Sequence, residues 1–157
     1  MPFTGPKLSV QEHDDCQWLL TAPLHYQGRV DHYTVPSGFL TDFATVPKRL
    51  QGIVQATGRW TKAAVLHDWL CTEGIRCGLI TSRDADGIFR RVMREEGVGF
   101  ATRWCMWAAV RWAAFANPLR RPGTWRDLPL MVPITAAVLS VAWGIACALH
   151  ALDHLVR

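Results

Sequence analysis

No segment of this sequence carries a long run of like charge. Its 17 Lys and Arg and 13 Asp and Glu give a net charge of +4. The basic residues are spread over several segments, so no nucleic-acid footprint is indicated. Charge is scarce altogether, at 19% against 50% hydrophobic residues, which excludes a disordered, highly solvated chain. A disulfide framework is also missing. Cys16, Cys71, Cys77, Cys105 and Cys147 are odd in number and irregularly spaced, and a reducing compartment fits them better. Met1 to Ser9 has no apolar stretch, so no secretory leader is expected. There is no Walker loop, no Gly-x-Ser-x-Gly elbow and no Gly-x-Gly-x-x-Gly fingerprint. Internal repeats and low-complexity tracts are absent as well.

What is present is one domain's worth of chain, 157 residues, with eight tryptophans and an apolar tail. Leu128 to Leu149 runs 22 residues without a charge, and about 20 such residues cross a bilayer core. Arg120, Arg121 and Arg126 precede it, while Asp153 and Arg157 cancel after it. That asymmetry places the main domain on the cytoplasmic side of a host inner membrane. The competing reading is a C-terminal helix buried in a soluble protein or an assembly, since Pro129, Pro133, Ser140 and several alanines dilute the tail. The organisation expected is an α+β domain over residues 1–117, a basic linker at 118–127 and an apolar helix at 128–150.

Within the domain, Gln17 to Thr21 and His32 to Val35 read as short strands of a small antiparallel sheet. Phe39 to Pro47 is apolar around Asp42, with Pro47 arguing against helix at its end. Arg59 or Trp60 to Glu73 reads as a helix stopped by Gly74. Thr81-Ser82-Arg83-Asp84 has capping-box form and opens a second helix reaching about Glu96. Val98 to Asn117 is a third, with little polar face beyond Arg103 and Arg111. It reads either as a core helix whose arginines pair or snorkel, or as a helix lying on a membrane surface.

Four ionisable groups stand in apolar or helix-start settings: Asp42, His67, Asp68 and Asp86. Burying such groups costs several kcal/mol unless they are paired or metal-bound. Histidine is the natural general base near neutral pH, and a carboxylate orients it or holds a cation. Neighbours on a helix point about 100° apart, so His67 is expected to work with Asp42 or Asp86 rather than with Asp68. Asp86 is expected in the first turn of its helix, where the dipole alone favours an acid. Taken singly, each group is explained by structure; together they suit a shared site, catalytic or purely structural. His67 and Cys71 share a helix face and Cys77 follows, but a zinc site lacks its second cysteine pair.

Three ordered motifs bear a likeness to a known family. They are Gly38 to Pro47, Ala63 to Leu70 with His67-Asp68-Trp69-Leu70 at its centre, and Ser82 to Phe89 with Asp86. With Arg103 to Arg111, they resemble the phage and prophage family called domain of unknown function 1353, over roughly residues 7–117. The resemblance implies a phage or prophage protein without naming a reaction, and the apolar tail lies outside it. His67-Asp68 on a helix is also similar to secreted phospholipases A2, where His is the base and Asp a calcium ligand. The glycine-rich calcium loop and dense disulfides of those enzymes are missing here. Three functions are therefore open. One is a hydrolase with His67, Asp42, Asp68 and Asp86 in its site, with room for a divalent cation as cofactor. Another is a virion structural or assembly protein, bound to other phage proteins or to itself, with a structural polar network. The third is a membrane-tethered lysis or host-modifying factor.

Overall fold

The computed structural model describes residues 2–4, 8–14, 17–42 and 58–156. The N-terminal portion is β, as expected, but it forms two three-stranded antiparallel sheets. In the first, β1 (Phe3–Thr4), β4 (Leu24–Gln27) and β5 (His32–Val35) pair in the order β1-β4-β5. In the second, β2 (Val10–Glu12), β3 (Trp18–Leu20) and β6 (Leu40–Thr41) pair in the order β2-β3-β6. Of the six strands, β3 and β5 were legible. Strands β1, β2, β4 and β6, two to four residues long, were not anticipated. Beyond Asp42, the Phe39–Pro47 segment lies outside the described residues.

Helix α1 (Thr61–Trp69) follows, and its Ala63, Ala64, Val65 and Leu66 are fully buried against the sheets. It continues into a π-helical turn, Leu70–Gly74. Gly74 does not stop the helix. A Cβ there would meet Ile80 Cγ2 at 3.2 Å, so glycine is present for close packing. The chain turns at Gly78, whose φ of 70° lies in the left-handed region. Helix α2 (Ser82–Glu95) starts at Thr81, whose hydroxyl accepts from the Asp84 backbone N–H at 3.2 Å. Its apolar face, Ala85, Ile88, Phe89, Val92 and Met93, completes the main core with Leu20, Leu24, Tyr26 and Val35. Burying each of the larger side chains contributes about 1.5–3 kcal/mol. Tyr26 Oη donates to Glu95 Oε2 at 3.0 Å, and Arg91 pairs with Asp31; together they lock α2 onto the first sheet.

Helix α3 (Phe100–Ala116) packs on α2, and α4 (Leu128–Val156) packs only its first turns on α3. Met131 is fully buried against Trp107 and Ala108, with Ile134 beside them. Trp112 Nε1 donates to Thr135 Oγ1 at 2.9 Å. A 3-10 turn, Thr124–Asp127, leads straight into α4, and left-handed Gly123 sets its entry. From Thr124 to His150, 27 residues are long and apolar enough to cross a membrane, and only 6% of the window is buried. Within the chain by itself the tail is not packed as a core helix: Leu139, Trp143, Ile145 and Leu149 are all exposed.

Candidate functional site

The last turn of α1 and the second turn of α2 bring His67 and Asp86 together. His67 Nε2 donates to Asp86 Oδ1 at 2.5 Å, with 3% of His67 and none of Asp86 exposed. The cap at Thr81 makes Ser82 the first helical residue, so Asp84 occupies the first turn and Asp86 does not. The helix dipole therefore does not account for Asp86; its partners do. Arg111 Nη1 donates to Asp86 Oδ2 at 2.8 Å, and Arg120 Nη2 donates to Oδ1 at 2.7 Å. Arg111, 0% exposed, is the arginine that interrupts the apolar α3, and it pairs with acids instead of reaching for solvent. Its Nη2 also lies 2.9 Å from Asp127 Oδ2, close enough for Coulomb attraction but too poorly aligned for a hydrogen bond. Arg83 Nε donates to the other Asp127 oxygen at 3.1 Å.

On its other side, His67 faces its neighbour after all. His67 Nδ1 is 4.0 Å from Asp68 Oδ1. Asp68 is half-buried and accepts from the buried Thr41 hydroxyl at 2.5 Å. Asp42, the residue after Thr41, is exposed, whereas His67 and Asp86 are sealed inside. The four residues singled out from sequence thus divide. Asp86 and Asp68 flank the imidazole on opposite sides, and Asp42 stays at the surface.

The group is densely charged: His67, Arg83, Arg111 and Arg120 face the carboxylates of Asp68, Asp86 and Asp127. Burial on its own would lower the His67 pKa, but the Cys71 sulfur and the Asp86 carboxylate override it and push it up to about 10. Burial likewise opposes ionisation of Asp86, yet the His67 bond and the Arg120 and Arg111 guanidiniums hold it below its ordinary value. Both directions favour the imidazolium–carboxylate form of the pair, and a protonated imidazole accepts no proton.

Cys71, one turn after His67 and inside the π turn, places its Sγ 3.3 Å from the same Nε2. A nucleophile–base–acid relay needs the nucleophile and the carboxylate on opposite ring nitrogens. Here Cys71 and Asp86 both crowd Nε2, so they do not form a relay. His67, Cys71 and Asp86 also bring their ligand atoms within 4.8 Å of one another, the spacing of a metal cluster. The donor set does not fit a cation, however. Nε2 already gives its proton to Asp86, and both Asp86 oxygens are taken by guanidiniums. Cys77, the other sequence candidate, is exposed and turned back on the Gly74 carbonyl.

A family model described as "Protein of unknown function (DUF1353)" matches residues 18–110. The chain belongs to the DUF1353 family. Neither the curated proteins nor the solved structures hold a match. The DUF1353 span takes in Thr41, Asp42, His67, Asp68, Cys71 and Asp86 and ends at Val110. Arg111, Arg120 and Asp127 fall just beyond it. Sequence reasoning missed Arg120 and Asp127, which sit in an ordinary-looking basic linker. Arg111 had a signal: an arginine isolated in an apolar helix must find a carboxylate or water.

Proposed function

We propose that this DUF1353 member is a membrane-anchored, non-catalytic phage or prophage protein. Its α+β domain stands on the cytoplasmic face, and α4 crosses the bilayer. The His67–Asp86 cluster is the clasp that fixes the domain to the root of that anchor. The carrying observation is the engagement of Asp86: one fully buried carboxylate accepts from His67, Arg111 and Arg120. These groups come from α1, α2, α3 and the linker, and Asp127 extends the network to the residue before α4. A buried network with so many partners rigidifies and specifies an arrangement. The anchor reading is supported by the bare apolar length of α4 and by Arg121, Trp125 and Arg126 at its root, residue types that favour the headgroup layer. The phage or prophage origin rests on the family likeness.

The test is alkaline carbonate extraction of the full chain beside a chain cut after Ala136, which keeps Asp127, Met131 and Thr135. The full chain is expected in the membrane pellet and the cut chain in the supernatant. Extraction of the full chain, with recovery as a defined oligomer, would instead assign the exposed face of α4 to a second copy.

A second reading is favoured by one observation. Because Nε2 is engaged, Nδ1 is the ring nitrogen facing half-buried Asp68, which accepts from Thr41. The likeness of His67-Asp68 to secreted phospholipases A2 gives this reading its chemistry: His67 acts as base, which requires the neutral imidazole, and Asp68 holds a divalent cation. Under this reading calcium-dependent ester hydrolysis disappears in Asp68→Asn while the melting temperature holds. A full chain with no such activity excludes it.

A further inference from the structure

A concave feature lies where the C-terminal half of α2 meets the N-terminal turns of α3. A cleft of about 380 Å³ opens there, lined by Gly87, Arg90, Arg91, Arg94, Phe100, Arg103 and Trp104. Four of these seven residues are arginines. Arg91 is engaged by Asp31. Among the described residues, no ion pair joins Arg90, Arg94 or Arg103 to a carboxylate.

Two of the guanidiniums are held in place by stacking. Arg90 lies 3.9 Å over the Trp104 ring, and Arg103 lies 5.1 Å over Phe100 while donating to the Val98 carbonyl at 3.3 Å. Stacking of this kind orients a guanidinium without neutralising it. Burial and the Arg103 and Arg94 charges together hold Arg90 below its ordinary pKa, so the cations repel one another across the cleft. A solvated basic face would spread such charges apart. Phe100 is exposed at the mouth, 67% accessible, and supplies an apolar lip.

We propose that this cleft binds a phosphate-bearing ligand, with Arg90, Arg94 and Arg103 gripping the phosphate oxygens. Phosphate suits the site because its several oxygens accept from more than one fork at once, and planar guanidiniums match them two bonds at a time. The phosphate can arrive on a lipid headgroup or on a soluble phosphate compound. The cleft is separate from the His67 cluster and does not depend on what that cluster does.

The experiment uses the full chain in neutral detergent micelles. Binding is measured calorimetrically for pyrophosphate, for phosphatidylglycerol added to the micelles, and for phosphatidylcholine as the zwitterionic comparison. Arg94→Gln and Arg94→Gln/Arg103→Gln are the variants. Arg94 is exposed, so its replacement leaves the core intact if the double variant does not fold. Binding of pyrophosphate weakened about tenfold or more in Arg94→Gln assigns a soluble phosphate source, by the scale of one lost charge-assisted contact. Binding of phosphatidylglycerol alone, with the same loss in the variant, assigns a lipid headgroup. Failure of both probes to bind, or equal binding by the variant, overturns the proposal.

Discussion

Asp86 shows how one side chain organises a site without exposing any of itself. Three donors meet its two oxygens, two on Oδ1 and one on Oδ2, and none of the carboxylate is exposed. Asp86→Asn keeps the shape but removes the charge that neutralises Arg111 and Arg120. It is expected to cost about 3–5 kcal/mol, since it strands buried cations. For a chain of this size that lowers the melting temperature by on the order of 10 °C, which thermal unfolding in detergent measures. A drop under about 2 °C would show that Asp86 is dispensable. The imidazole makes a second prediction through pH. His67 binds its proton far more tightly folded than unfolded, its pKa rising from 6.5 to about 10. Its contribution is therefore complete below about pH 6.5 and fades as pH climbs toward 10. Asp86, held below 3.8, contributes above that value and loses its contribution as pH falls through its folded pKa. Stability is expected to plateau between about pH 4 and 6.5 and to decline on both sides, measured by denaturant midpoints across pH. In His67→Gln the alkaline decline should flatten; an unchanged slope would assign it to other groups.

Among the elements, the helices were legible and most of the sheet was not. Helix α2 announced its start, at Thr81, and its end near Glu96, because capping chemistry is a local property. Thr81→Ala is expected to cost about 1 kcal/mol, as the Asp84 N–H loses its acceptor; equilibrium unfolding reads this, and no loss would mean that water caps the helix as well. The π turn at Leu70–Gly74 was not legible, since no residue type signals a one-residue widening of a helix. Glycine at 74 looked like a helix stop because its other use, close approach to Ile80, depends on a partner six residues on. Gly74→Val should therefore destabilise by about 1–3 kcal/mol through crowding rather than through the backbone. Truncating its partner, in Gly74→Val/Ile80→Ala, should recover part of that loss. Equal stability of the single and double variants would refute the packing argument.

At the scale of the molecule, the fold class, the family and the apolar tail could be read from composition and motif order. The grouping around Asp86 could not, because it joins residues 19, 25 and 34 positions apart. Arg120 and Asp127 lie in a stretch whose sequence looks like plain linker, and only the chain's return over α2 gives them partners. The same return joins the domain to α4, so the Asp86 cluster and the first turns of α4 form one unit. That unity is the central claim, and a double-mutant cycle on Asp86 and Arg111 tests it most directly. Equilibrium unfolding of the full chain would be compared for Asp86→Asn, Arg111→Met and both together. The account predicts strong coupling, with the double variant more stable than the two losses summed by about 1–3 kcal/mol, as for groups in one network. Losses that add to within about 0.5 kcal/mol, as for distant independent sites, would contradict it.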